Sequence, residues 1–134
     1  MARKIGGSHV DLALAILRIV TGLLFCCHGA QKLFGIFGGM GGHGAKAHAV
    51  SLLWIAAILE FFGGLLITIG LGTRIVAFLL CGEMAVAYFK THFPRGFIPL
   101  ENGGELAVLY CFIFLYLVAA GPGALSVERL RGRR

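Results

Sequence analysis

Acidic side chains are scarce: six Asp and Glu stand against twelve Lys and Arg in 134 residues. Charged residues of both signs make up 13% of the chain, where a soluble domain carries about a quarter. There is no CxxC pair, no Walker loop, no G-x-S-x-G and no E-x-x-H of the di-iron bundle type. No Rossmann glycine fingerprint follows a strand pattern. These absences remove nucleotide hydrolysis, dinucleotide-dependent hydride transfer, α/β-hydrolase chemistry and a carboxylate di-iron centre from the readings to consider.

What fills the chain instead is apolar: 58% of residues are hydrophobic. A small soluble domain cannot hide that much apolar surface, because it buries only part of what its chain exposes. The surplus predicts lipid as the solvent. Four apolar segments, at about 10–34, 51–71, 74–90 and 104–120, approach the roughly 20 residues that a helix needs to cross a bilayer. They are too long for barrel strands. The expected fold is therefore all-α, a polytopic membrane protein built as one domain over residues 1–134. It is a bundle of four transmembrane helices with a basic tail at 121–134. The first segment follows Arg3 and Lys4 as a signal peptide would. It runs on past signal-peptide length, contains Arg18 and lacks a clean A-x-A site, so it reads as a retained span.

Four spans put both termini on one side with the Gly70–Arg74 connection. That side holds Arg3, Lys4, Arg74, Arg129, Arg131, Arg133 and Arg134, and the other holds Lys46, Lys90 and Arg95, with Lys32 at its border. The excess predicts cytoplasmic termini and a tail suited to anionic headgroups. The same placement argues against nucleic acid as a partner, since these charges flank apolar runs and trace no phosphate path. Six glycines in Gly35–Gly44 predict a flexible loop with no packing of its own. Thr91–Asn102, with two prolines and two aromatics, predicts an ordered cap. The four cysteines read as small apolar core residues, although Cys26 or Cys27 could meet a cysteine on another helix.

Charge inside a span is costly and normally faces a partner or a cavity. Arg18, Glu60 and Glu83 are the informative residues. Glu60 and Glu83 lie near the midplane, and Arg18 at a comparable depth could bridge both. One reading is a buried ion-pair network that sets helix register. The other is a site in which one glutamate exceeds the available positive charge and takes protons or a ligand's polar head. His28, Lys32 and Glu105 form a second polar group toward the opposite face, with Lys90 and His92 nearby. Asn102-Gly-Gly-Glu105 also fits a helix start with asparagine as the cap. Neither metal nor haem is expected: His43 and His48 sit in or beside the glycine loop, and only His28 lies in a span.

In order, the residues Arg18-x3-Gly22-x6-Gly29-x2-Lys32, Glu60-x2-Gly63-Gly64-x5-Gly70, Gly72-Thr73-Arg74, Gly104-Glu105-Leu106 and Gly121-Pro122-Gly123-x2-Ser126 are distinctive. Together, from about Leu12 to Glu128, the chain resembles the DoxX family of small four-helix bacterial membrane proteins. That resemblance implies an inner-membrane protein linked to quinone-dependent sulfur oxidation or to thiol and oxidative-stress homeostasis. The expectation is a redox-associated subunit whose bundle receives a quinone head group. Arg18, Lys32 and His28 would donate to it, and Glu60, Glu83 or Glu105 would exchange protons. No electron carrier is evident, so a redox partner subunit would supply one. The alternative is a non-catalytic accessory subunit of a larger membrane complex, its polar core structural. A small transporter is disfavoured by the lack of inverted repeats or broken spans.

Overall fold

The structure, a computed structural model of the chain, describes residues 8–132. Arg3, Lys4, Arg133 and Arg134, counted above toward the orientation, lie outside the described residues. The helices are α1 (Ser8–Phe34), α2 (Leu52–Ile69), α3 (Thr73–Ala87), α4 (Pro99–Asn102), α5 (Glu105–Ala120) and α6 (Val127–Arg131). After Ala87 the helix widens into a π turn, Tyr88–His92, and tightens into a 3₁₀ turn, Phe93–Arg95. Ser8–Phe34, Leu52–Ile69 and Thr73–Arg95 are each long and apolar enough to cross a membrane, and Glu105–Ala120 is a shorter apolar helix. The chain is an all-α polytopic membrane protein.

Two compact units divide it. One takes in the described residues up to Thr73 together with those from Pro122 onward; the other is Arg74–Gly121. The first is built on an antiparallel pairing of α1 with α2. Every seventh residue of α1 along Ala15, Gly22 and Gly29 is buried, and Arg18, Phe25 and Lys32 repeat at the same interval beside them. On α2 the matching rows are Ala57 with Gly64 and Glu60 with Ile67. A seven-residue repeat of small and larger side chains is the pattern of a left-handed helix seam. The small positions bring backbone against backbone. A Cβ on Gly64 would stand 2.6 Å from the Cys26 amide nitrogen and one on Gly22 2.7 Å from that of Thr68. Leucine, isoleucine and phenylalanine side chains such as Leu24 and Phe62 are exposed on the outer faces. The seam combines small residues with the buried polar side chains of Arg18, Thr21 and Glu60, and large apolar side chains cover the outside, as lipid requires.

Helix boundaries follow local chemistry. Ser51 caps α2 by accepting a hydrogen bond from the Trp54 amide. Gly70 closes α2 in the left-handed conformation, φ 69°. The tail folds back on this unit: Ser126 is buried and caps α6, and Glu128 donates its amide to the Gly70 carbonyl. Arg129 pairs with Asp11 at the start of α1.

The Gly35–Gly44 loop departs from expectation, because it is ordered. Met40 and Ala45 form a β-bridge, and the Gly44 amide donates to the Gly38 carbonyl at 2.7 Å. All six of its glycines have positive φ, so the composition serves a tight left-handed path and not looseness.

In the second unit, Arg74 Nη1 donates to the carbonyls of Val118 and Ala119 at 2.8 and 2.7 Å, satisfying orphan acceptors at the end of α5. The Thr91–Asn102 segment holds the 3₁₀ turn and the short α4, and Asn102 does not cap α5. It ends α4, with Gly104 at the N-cap position of α5. Its side chain ties the loop instead: Nδ2 donates to the Gly96 carbonyl and the Tyr88 hydroxyl, and Oδ1 accepts from the Gly104 amide.

Candidate functional site

Arg18 is fully buried. Its guanidinium has five N–H donors. Nε donates to the Pro122 carbonyl at 2.7 Å, Nη1 to Ile67 and Thr68 at 2.8 and 2.5 Å, and Nη2 to Ala124 and Leu125 at 3.1 and 2.8 Å. Five donors meet five carbonyls. The charge that acts on it is that of Glu128. The expected bridge from Arg18 to Glu60 is therefore not formed.

Glu60 pairs with Lys32 instead, Nζ to Oε2 at 2.5 Å, with side-chain exposures of 20% for the lysine and 5% for the glutamate. The reason is the tilt of side chains toward the N-terminus of their own helix. On α1 that tilt carries Arg18 toward Ser8 and carries Lys32 back toward mid-helix. On antiparallel α2 it carries Glu60 toward the Lys32 end. Lys32 and Glu60 converge, while Arg18 and Glu60 diverge. Arg18 and Lys32 are fourteen residues apart, roughly 21 Å along the axis, so the two cations occupy opposite ends of the seam.

His28 stands one turn before Lys32 on α1, half-buried and near enough to feel its charge. A first polar group is thus His28, Lys32 and Glu60, all within the first unit. Glu83 lies half-buried on α3 and Glu105 is exposed in the first turn of α5, both in the second unit. Among the described residues no group of three or more His, Cys, Asp or Glu is placed to hold a metal ion.

A lysine ammonium has three donors and no acceptor. Lys32 gives one to Glu60 and retains two. It sits at the edge of an apolar helix pair with part of its side chain open, so the group can hydrogen-bond a carbonyl-bearing ligand without losing its counter-charge. Arg18 has no such capacity left.

Sequence reasoning missed two arrangements. The carbonyl cluster around Arg18 has no side-chain signature, because backbone oxygens carry no residue identity. The other is a thiol contact, Cys81 Sγ to Cys111 Sγ at 3.7 Å, between α3 and α5. From the sequence, all four cysteines read as small apolar core residues, with only Cys26 or Cys27 named as able to meet another.

Comparison with known proteins agrees with this architecture. Residues 13–93 match the DoxX family. An uncharacterized protein of Haemophilus influenzae is 44% identical over 119 residues, covering 86% of this chain and 87% of that protein. The protein named "Putative oxidoreductase CatD" of Bacillus subtilis is 33% identical over 118 residues, 88% of this chain and 86% of its own. The inner membrane protein YqjF of Escherichia coli is 30% identical over 126 residues, 92% and 95% of the two chains. No solved structure matches. With the family match spanning more than half of the chain and relatives aligned over nearly all of it, this protein belongs to the DoxX family.

Proposed function

We propose that the chain is a redox-associated protein of the bacterial inner membrane whose α1–α2 seam receives a quinone head group beside Lys32. The observation that carries this reading is the unequal state of the two cations of the seam, one buried and one partly open. Arg18 has every donor engaged by backbone, whereas Lys32 keeps two donors next to a buried carboxylate. The donor set fits the ligand: cationic N–H groups for a quinone oxygen, a carboxylate for proton exchange, and apolar helix surface for the ring and tail. When bound, a quinone supplies two-electron, two-proton chemistry at a site open to lipid.

Within this reading Lys32 positions the head group by hydrogen bonding. Glu60 holds or releases a proton at Oε2 as the local charge changes. His28, one turn away, passes protons toward the helix end. Arg18 belongs to the scaffold. Glu83 and Glu105, named as candidates from the sequence, have no role assigned in this site. Electrons arrive through a partner subunit. The relative named as an oxidoreductase supports the redox class, and the relative named as an inner membrane protein supports the location. The termini are assigned to the cytoplasm from the charge excess on that side.

Titration of purified protein with a short-chain quinone tests the site. Wild type is expected to bind saturably. The Lys32→Met/Glu60→Gln double variant, which leaves no unpaired charge, is expected to bind at least tenfold more weakly, about 1.4 kcal/mol. Absence of saturable binding by wild type sinks the reading.

The second reading, an accessory subunit without chemistry of its own, draws support from Arg18, since the most costly charge in the chain serves packing alone. Under it, a complex carrying the double variant keeps full activity.

A further inference from the structure

Among the described cysteines, Cys81 on α3 and Cys111 on α5 stand apart from Cys26 and Cys27. Their sulfurs are 3.7 Å apart, a van der Waals contact, and the Cys111 thiol also reaches the Cys81 carbonyl at 3.5 Å. Neither is bridged, and both are half-buried. Each lies on an apolar helix that carries exposed large apolar side chains, such as Phe78 and Phe112. A disulfide needs the sulfurs at ~2.05 Å, so the pair must close by about 1.7 Å.

We propose that Cys81 and Cys111 are a two-electron dithiol site, oxidised reversibly to an intramolecular disulfide by a lipid-dissolved quinone. The balance is closed: two S–H bonds break, one S–S bond forms, and two electrons and two protons pass to the quinone, which leaves as hydroquinone. The setting selects the oxidant class. Thiols half-buried between apolar helices are reached by a neutral amphiphile from the bilayer and not by charged aqueous oxidants. The choice of a quinone as oxidant rests on the reading in the preceding section; the thiol geometry does not.

The test uses full-length protein in mild detergent under anaerobic conditions, treated with a short-chain benzoquinone whose ring positions are all substituted, so that no thiol adds to the ring. Free thiols are then alkylated after unfolding in SDS and located by mass spectrometry. The expected result is loss of alkylation at Cys81 and Cys111 together, retention at Cys26 and Cys27, and about one hydroquinone formed per chain. Ferricyanide is expected to leave all four cysteines alkylatable. Cys81→Ser or Cys111→Ser is expected to abolish hydroquinone formation. Full alkylation of Cys81 and Cys111 after quinone treatment overturns the proposal, as does oxidation at Cys26 and Cys27 in their place. Quinone titration of the Cys81→Ser/Cys111→Ser variant separates the two ideas. Saturable binding without disulfide in wild type removes the dithiol site and leaves the Lys32 site standing. Disulfide formation without saturable binding does the reverse.

Discussion

Lys32 and Glu60, 28 residues apart in sequence, meet at 2.5 Å at one end of the α1–α2 seam, one on each helix. The pair is asymmetric in its surroundings. The carboxylate is almost wholly enclosed and the ammonium is partly open. Removing the lysine therefore leaves a buried charge with no partner, while removing the carboxylate leaves an ammonium that still reaches polar surroundings.

Lys32→Met is expected to lower stability by roughly 3 kcal/mol, the lower end for breaking a buried ion pair because one member is partly open. Glu60→Gln alone is expected to cost less than Lys32→Met. Lys32→Met/Glu60→Gln is expected to recover most of the loss. Denaturant midpoints in mild detergent measure all three. Equal costs for the two single variants would contradict the burial asymmetry.

Arg18→Lys keeps the charge but has three donors for five carbonyls. At least two of these acceptors lose their partner, at ~1–3 kcal/mol each, so a loss of about 2–6 kcal/mol is expected. Arg18→Leu is expected to lose more. Adding Glu60→Gln to Arg18→Leu is expected to restore nothing, because Glu60 pairs with Lys32 and not with the arginine. Rescue in that double variant would return Arg18 to the ion-pair role that its depth alone implied.

Two glycines give opposite expectations. A Cβ on Gly64 meets the α1 backbone at 2.6 Å, whereas one on Gly82 meets nothing within 4 Å. Gly64→Ala is expected to pry α1 from α2 and lower the melting temperature. Gly82→Ala, in mid-helix and unobstructed, is expected to stabilise by about 0.5–1 kcal/mol. Thermal melting of the two variants side by side reads the difference.

Orientation is accessible by labelling. In a background lacking native cysteines, a cysteine at Gly132 is expected to react with an impermeant maleimide only from the cytoplasmic face. A cysteine at Gly41, on the exposed glycine loop, is expected to react only from the opposite face. The inverse pattern would show that the loop charges do not govern insertion here.

Hydropathy and composition were enough to read the helices: α1 and α5 begin and end within two residues of the apolar segments, because lipid imposes length and the caps are local. Which cation meets Glu60 was not legible. Depth can be counted from sequence, but the meeting of two side chains depends on helix direction and on the tilt of Cα–Cβ, which reverses between antiparallel partners. The Gly35–Gly44 loop misled for a related reason. Glycine content reports permissiveness, and a path of successive positive φ values uses that permissiveness to become ordered. The acceptors of Arg18 were invisible because they are main-chain oxygens, two on α2 and three in residues otherwise read as a basic tail.

That last arrangement sets an order of events during synthesis. The arginine and the Pro122 carbonyl are separated by 104 positions. At ~5–20 residues per second, roughly 5–20 seconds pass between the making of Arg18 and the making of the last oxygens that hold it. Through that interval α1 carries a cation with at most the α2 carbonyls of Ile67 and Thr68 to receive it. A helix made early is thus completed late: until Pro122 and the residues after it are in place, α1 holds a charge that is only partly answered.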